Sequence, residues 1–562
     1  MLFSAKNFAL FILGCTWFLS PILAQDELIN WQQLGPDSEF TTGIRSAEWY
    51  AKAPAATKPK TVVVAVLDSG VDIYHPDLKA NIWINEDEIP GNKLDDDQNG
   101  YVDDISGWNF LGGPDGRSAK NETLELTRLY AIEKAKWEGV DVTHLKGKKK
   151  KEYEAYLEKK EKVESKLESA NTQVAQVKEM QAIVNTSLTA AKNELNGDSL
   201  DVERLEASEN EDVQVGARII RSVEEQGVTV ESIDWLMELV NEQFNEQISD
   251  SEKDIKYLYN TENNERSIVG DNYYDFTNHS YGNNNVKGEY SYHGTHVAGI
   301  IAAIRENEEG IDGIADHVAI MAVKLVPDGD ERDKDVANGI MYAVNNGAQI
   351  INMSFGKGYS PEKFLVDEAM KYAAKHDVLL VMGAGNDGSD RDTGDDFPND
   401  TYQKKPLFGK KRAPNVIAVG ALSPEGGENA VAEFSNYGKK EVDVFAPGMY
   451  IYSTTPDSTY NFASGTSMAA PVVSGIAALI RSRYPDLSAT QVKDIIMKST
   501  SKLPSTVIQP GTFDSVPSSD LSVTGGMVNV VTAMKMASET KGKAKKKNRM
   551  PSTEYVPVAS KV

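Results

Sequence analysis

The sequence predicts an α/β fold: a parallel β-sheet with helices on both faces, carrying a large inserted α-helical segment. Three observations support this. Short, mainly apolar runs (Val62–Leu67, Ile320–Leu325, Ile350–Gly356, Val416–Val419) are separated by helix-period stretches such as Val336–Val344. Strands buried on both faces read as such nearly continuous runs. Residues 118–267, by contrast, are rich in Glu, Lys, Ala and Gln and poor in Gly and Pro, the composition of long helices. At 562 residues there is length for a large core and more than one domain.

Taken in order, Lys6 and the apolar run Phe8–Leu19 have the layout of a secretory signal (residues 1–24), with cleavage expected after Ala24. Ile12-Leu13-Gly14-Cys15 offers lipoprotein processing at Cys15 as a second route. Cys15 is the sole cysteine, so a chain cut after Ala24 has neither a disulfide nor a thiol nucleophile. Residues 25–60, ending in a Pro/Lys-rich stretch, are expected to form an N-terminal extension and linker that packs on the following domain.

The first domain segment, 61–117, opens with the strand Val62–Leu67, which runs into Asp68-Ser69-Gly70-Val71-Asp72 and so puts an acid at a buried strand end. An ordinary turn-forming Asp is the alternative. The run Asp95-Asp96-Asp97-Gln98-Asn99-Gly100-Tyr101-Val102-Asp103-Asp104 then places oxygen side chains at positions 1, 3, 5 and 9, with Gly100 at the turn. This matches the front half of a calcium loop, with Asp95, Asp97, Asn99 and Asp103 as ligands, although Ser106 stands where the bidentate Glu is usual. Hard oxygens point to calcium over zinc. A solvated acidic turn is the competing reading.

Within the 118–267 insertion, Val163, Ala170, Val177, Val184 and Ala191 recur every seven residues, and Leu167, Val174, Leu188 and Leu195 fill a second seam that Gln181 interrupts. A break at Asn196-Gly197-Asp198 leads to a second helical stretch that includes 233–244, so an antiparallel helical hairpin or coiled coil is expected. It is either a solvated spacer or a surface for a partner.

The second domain segment, 268–536, holds the remaining chemistry. His293-Gly294-Thr295-His296-Val297-Ala298-Gly299 opens an apolar helical run. Val381-Met382-Gly383-Ala384-Gly385-Asn386-Asp387-Gly388 follows the strand Val378–Leu380, with a turn as its plain reading. Gly465-Thr466-Ser467-Met468-Ala469-Ala470-Pro471 sets a serine where a helix begins, with free N–H groups and the positive dipole end beside it. Taken alone, that serine reads as a helix cap. Taken together, Ser467, His293 and Asp68 supply a nucleophile, a base and the carboxylate that orients the base. Residues 537–562, with the lysine-rich 541–549, read as a disordered basic tail, open to surface docking.

Asp-Ser-Gly-Val-Asp, His-Gly-Thr-His-Val-Ala-Gly and Gly-Thr-Ser-Met-Ala-Ala-Pro, in that order, resemble the three signature stretches of the subtilisin-like serine proteases. The resemblance covers about 390 residues in two pieces around the insertion and implies a subtilisin-like fold and peptide-bond hydrolysis. It implies that His293 is the base, with His296 a packed helix residue. Asn386, with the Ser467 N–H, would form the oxyanion hole, and Ser354-Phe355-Gly356 the backbone segment that pairs with substrate. Residues 25–60 are too short for the folded inhibitory prodomain that many members carry.

A formal net charge of −25 argues against nucleic acid as partner and leaves a peptide or protein substrate. The sequence thus reads as a secreted serine endopeptidase, periplasmic, cell-envelope or extracellular. The alternatives are a narrow-specificity processing protease gated by the insertion and an inactive protease fold that binds a partner.

Overall fold

The computed structural model describes residues 28–35, 42–53, 58–225, 227–404 and 411–543. The segment expected as a signal, Cys15 and the tail beyond 543 lie outside them. Within these residues the chain forms two compact units, Leu126–Asn263 and the remainder. Residues 118–125 and 264–267, expected in the insertion, belong to the larger unit.

After helix α1 (Ser46–Lys52), strands β1 (Val62–Asp68) and β2 (Gly107–Asn109) begin the larger unit. The smaller one comprises α2 (Glu125–Trp137), α3 (Gly147–Leu195), α4 (Val202–Glu206), α5 (Glu211–Glu224) and α6 (Ile233–Lys253). In α3, Tyr156, Val163, Ala170, Val177, Val184 and Ala191 are all buried, one every seven residues, while Leu167 and Val174 of the second seam are only half-buried. Asn196 and Gly197, both with positive φ, end that helix. The returning arm differs from the single helix expected. It is cut into α4, α5 and α6, each started by a side-chain cap, Asp201, Asn210 and Ser232 respectively. α5 and α6 pack on α3 around Leu188, Leu205, Ile220 and Leu236. The entering and leaving chains meet where Thr127 Oγ1 donates to the Leu258 carbonyl (2.8 Å).

The larger unit continues with α7 (Tyr292–Ala302), β3 (Val318–Lys324), α8 (Asp333–Asn345), β4 (Ile350–Met353), α9 (Lys363–Lys375), β5 (Leu379–Gly383), β6 (Val416–Leu422) and β7 (Val444–Pro447). A hairpin, β8 (Ile451–Thr455) and β9 (Thr459–Ala463), precedes α10 (Thr466–Arg483) and α11 (Ala489–Lys498). Then come β10 (Ser501–Lys502), the hairpin β11 (Thr506–Ile508) and β12 (Ser515–Pro517), β13 (Gly526–Met527) and α12 (Val530–Glu539). α12 runs past the expected boundary at 536, with Ala537 buried.

Nine strands form one sheet in the order β10-β13-β7-β6-β5-β4-β1-β3-β2, parallel except for the β10–β13 edge pair. Its strands are covered on both faces, and the period of two shows directly in β1. Val62, Val64 and Val66 join a core with α7 and α10, while Ala65 and Leu67 join a second core with α8 and α9. Trp31 and Ile44 of the N-terminal segment are fully buried in the first core, and the Trp31 indole donates to the Tyr450 carbonyl (3.1 Å). β1 lies between β3 and β4, so the chain reverses its direction of travel across the sheet beside it. Open α/β sheets bind ligands at the carboxyl edge near such a point.

Candidate active site

Asp68 is the last residue of β1, at that carboxyl edge, and is 1% exposed. Its Oδ1 accepts from the Ser69 N–H (2.7 Å) and from His293 Nδ1 (2.7 Å). His293 sits in the first turn of α7, which can approach so closely because residue 294 is Gly: a Cβ there would collide with the Gly70 carbonyl. Burial pulls the imidazolium down, but the Asp68 carboxylate outweighs it through charge and hydrogen bond, so His293 titrates above its ordinary 6.5. His296 contrasts with it. It is fully buried, bonds the Asn461 carbonyl through Nε2 (3.1 Å), and is pushed down to about 4 by burial, so it stays neutral.

Lys324, paired with Asp68 in the β1–β3 register, adds a charge beneath these groups. It is 3% exposed, and its ammonium donates to the carbonyls of Ser69 and Tyr290. Burial lowers it to about 8 against the opposing pull of Asp68. Sequence reasoning passed over it because it closes an apolar strand run, where its burial leaves no mark.

Ser467 is the second residue of α10. Its Oγ donates to the Ser354 carbonyl (3.1 Å), and Ser354 Oγ donates to the Ser467 carbonyl (2.8 Å). That carbonyl is available because Pro471, four residues on, has no N–H to close the helix turn. Asn386 is pinned by its acceptor end: its Oδ1 receives the Thr466 N–H (2.8 Å) and the Thr466 hydroxyl (3.0 Å). The donor end, Nδ2, is thereby turned to the niche over Gly465. A Cβ placed on Gly465 would lie 3.3 Å from Asn386 Nδ2, 3.6 Å from the Ser467 N and 3.7 Å from Asn386 Oδ1, so the two nitrogens border one small volume. Thr466 carries this orientation, yet its motif position marks it in sequence only as a small polar residue.

Ser354, Phe355 and Gly356 follow β4, which ends at Met353. Beyond them Lys357 exchanges two backbone hydrogen bonds with Phe397 (2.8 and 2.9 Å). Among the described residues, the backbone groups of Phe355 and Gly356 hold no hydrogen bond, an open edge of the kind an extended peptide can extend.

In the acidic loop, carboxylate oxygens of Asp95 and Asp97 converge with one of Glu88, all within 4.8 Å of one another. The Asn99 N–H donates to both Asp95 Oδ1 and Asp97 Oδ1 (3.0 Å each), closing the turn, while its own amide oxygen accepts from Tyr101 N (2.8 Å). Asp103, expected as a ligand, turns away: at positive φ, it accepts from the N–H groups of Gly91 (2.8 Å) and Lys93 (2.9 Å). Glu88 takes its place in the cluster, 5% exposed and seven residues before the motif, where no spacing rule points to it. The donor set is all oxygen, which suits calcium.

A family model described as Peptidase_S8, Subtilase family, matches residues 59–516. Similar curated proteins include subtilisin DY of Bacillus licheniformis, 39% identical over 214 residues, which are 38% of this chain and 71% of that one. Subtilisin E of Bacillus subtilis (strain 168) is 39% identical over 208 residues, 36% of this chain and 49% of that one. A solved structure titled proteases from Pseudoalteromonas arctica PAMC 21717 aligns at 28% identity with a TM-score of 0.34, over 44% of this chain and 70% of that one. The class is that of the serine-type endopeptidases. Within it, the chain belongs to the subtilase family.

Proposed function

We propose that this subtilase cleaves peptide bonds through Asp68, His293 and Ser467, with Asn386 Nδ2 and the Ser467 N–H as oxyanion donors. The supporting observation is the 2.7 Å bond from His293 Nδ1 to the buried Asp68 carboxylate, which leaves Nε2 as the basic nitrogen. The Ser467 hydroxyl turns from the Ser354 carbonyl to His293 Nε2 and gives up its proton as Oγ attacks the substrate carbonyl carbon. Negative charge forms on the carbonyl oxygen, where the two N–H donors receive it. The C–N bond then breaks, the His293 proton leaves on the amine, and water hydrolyses the acyl-enzyme by the same steps. An extended peptide would lie along Phe355 and Gly356.

Calcium, held by Asp95, Asp97 and Glu88 with an oxygen of Asn99, would brace this domain without taking part in the chemistry. The enzyme acts after export, and the 126–263 unit offers a surface for a partner. Among the described residues, no helix is long and apolar enough to cross a membrane.

Labelling with a fluorophosphonate probe tests the assignment. The purified protein takes up the probe at Ser467, and Ser467→Ala abolishes both labelling and peptide hydrolysis with the fold retained. Full activity in that variant removes the assignment.

A further inference from the structure

Asn386 stands on a surface turn with little packing of its own: Asn386, Asp387 and Ser389 are exposed. Its side chain is held by Thr466, but a donor aimed to within a fraction of an ångström needs its backbone held as well. The restraint comes from Asn436, about fifty residues away, between β6 and β7. Asn436 is fully buried. Its N–H donates to the Gly385 carbonyl (2.9 Å), on the near side of Asn386. Its Oδ1 accepts from the Asp387 N–H (2.9 Å), the Ser389 N–H (3.0 Å) and the Ser389 hydroxyl (3.1 Å), on the far side. Gly388 N–H adds a bond to the neighbouring Phe434 carbonyl (2.9 Å). Gly385 has φ +103, and any Cβ there would strike Asn436 Nδ2, so the turn is fitted to this side chain.

The same carboxamide has an unfavourable half. Asn436 Nδ2 is buried and has no hydrogen-bond partner among the described residues. An unpaired buried donor detracts from stability, so packing does not account for an asparagine here. What the residue supplies is an oxygen with three donors gathered on it.

We propose that Asn436 is a positioning residue for the oxyanion hole: its carboxamide oxygen locks the 385–389 turn so that Asn386 Nδ2 stays beside the Ser467 N–H. This rests on reading Asn386 as an oxyanion donor. Asn436 touches neither substrate nor the reacting atoms. Its effect is therefore on the transition state, where the negative charge appears, more than on the bound ground state.

The test uses the full chain and a short chromogenic peptide. Asn436→Leu keeps the branching at Cγ and removes the acceptor; Asn436→Ala, which cannot overpack the site, is the second variant. Each is expected to lower kcat roughly 10- to 100-fold at unchanged KM. Affinity for a peptide boronic acid, which forms a tetrahedral adduct on serine, falls by a like factor, while affinity for the product peptide does not. In an Asn386→Ala background the Asn436 substitution costs nothing further. A folded Asn436→Leu or Asn436→Ala enzyme with kcat within about twofold of the parent overturns the proposal; so does a loss that simply adds to that of Asn386→Ala. If Asn386→Ala alone leaves kcat unchanged, the oxyanion reading fails instead. In the unmodified protein, the Asp387 and Ser389 amides exchange slowly with solvent despite their exposed turn, and rapid exchange of both overturns the proposal without any variant.

Discussion

Ser354 and Ser467 bond each other reciprocally: Ser354 Oγ donates to the Ser467 carbonyl (2.8 Å), and Ser467 Oγ donates to the Ser354 carbonyl (3.1 Å). The end of β4 is thus tied to the first turn of α10, at the one helix carbonyl that Pro471 leaves free. Ser354→Ala is expected to strand that part-buried carbonyl, together with Asn352 Nδ2, which donates to Ser354 Oγ (3.0 Å). The loss of such bonds costs about 1–3 kcal/mol, so the melting temperature drops by about 2–6 °C. Calorimetry checks this, and an unchanged melting temperature removes the tie from the account.

The pH dependence follows from the His293–Asp68 pair. His293 must be neutral to take a proton, and its folded value lies above 6.5. Activity therefore rises with pH through a midpoint above 6.5 and then levels. Stability runs the opposite way. A raised folded value means that the protonated pair stabilises the fold fully below 6.5, and the contribution is lost as pH rises through the folded value. Asp68→Asn removes the cause, so kcat falls roughly 10⁴-fold, the typical loss when a triad carboxylate becomes an amide. The residual activity should still rise with pH, but through a midpoint moved to lower pH. A midpoint that stays in place in Asp68→Asn contradicts the assignment of Asp68.

Chelation probes the acidic loop. If calcium binds the folded chain alone, its removal lowers the melting temperature by an amount set by free metal concentration over affinity. Glu88→Gln should weaken retention of the ion, while Asp103→Asn, whose carboxylate serves Gly91 and Lys93, should leave it largely intact. The reverse order would restore Asp103 as the ligand. Elemental analysis of the purified protein gives the metal content directly.

The Leu126–Asn263 unit should be dispensable for hydrolysis of small peptides. Its chain ends meet at the Thr127–Leu258 bond. In the larger unit, Glu265 accepts from the N–H groups of Lys120 (2.7 Å) and Asn121 (3.0 Å), so a short Gly/Ser linker can close the gap. All proposed catalytic residues lie outside the excised segment. Loss of activity on the smallest peptide in a soluble, monomeric deletion variant would show that the helical unit helps to build the active site.

Much of the fold could be read from sequence because its signals are local. Mainly apolar runs marked the sheet strands, the seven-residue repeat marked the face that α3 buries, and the motif at 465–471 marked the start of a helix with a serine on its first turn. Period and turn chemistry involve neighbours within a few residues, so they are written in order along the chain. The choice among oxygens and amides at the site was not. Glu88 replaced Asp103 in the cluster because the 91–93 backbone offered Asp103 two N–H donors. Thr466 and Asn436 hold the turn of Asn386 from positions 80 and about 50 residues distant. Asp68 and His293 meet across 225 positions. Sequence alone determined which residue types were present and on which elements they fall. Only the tertiary structure decided which of them share a hydrogen bond, because that depends on where buried donors and acceptors from distant segments are brought together, where nearly all of them must find partners.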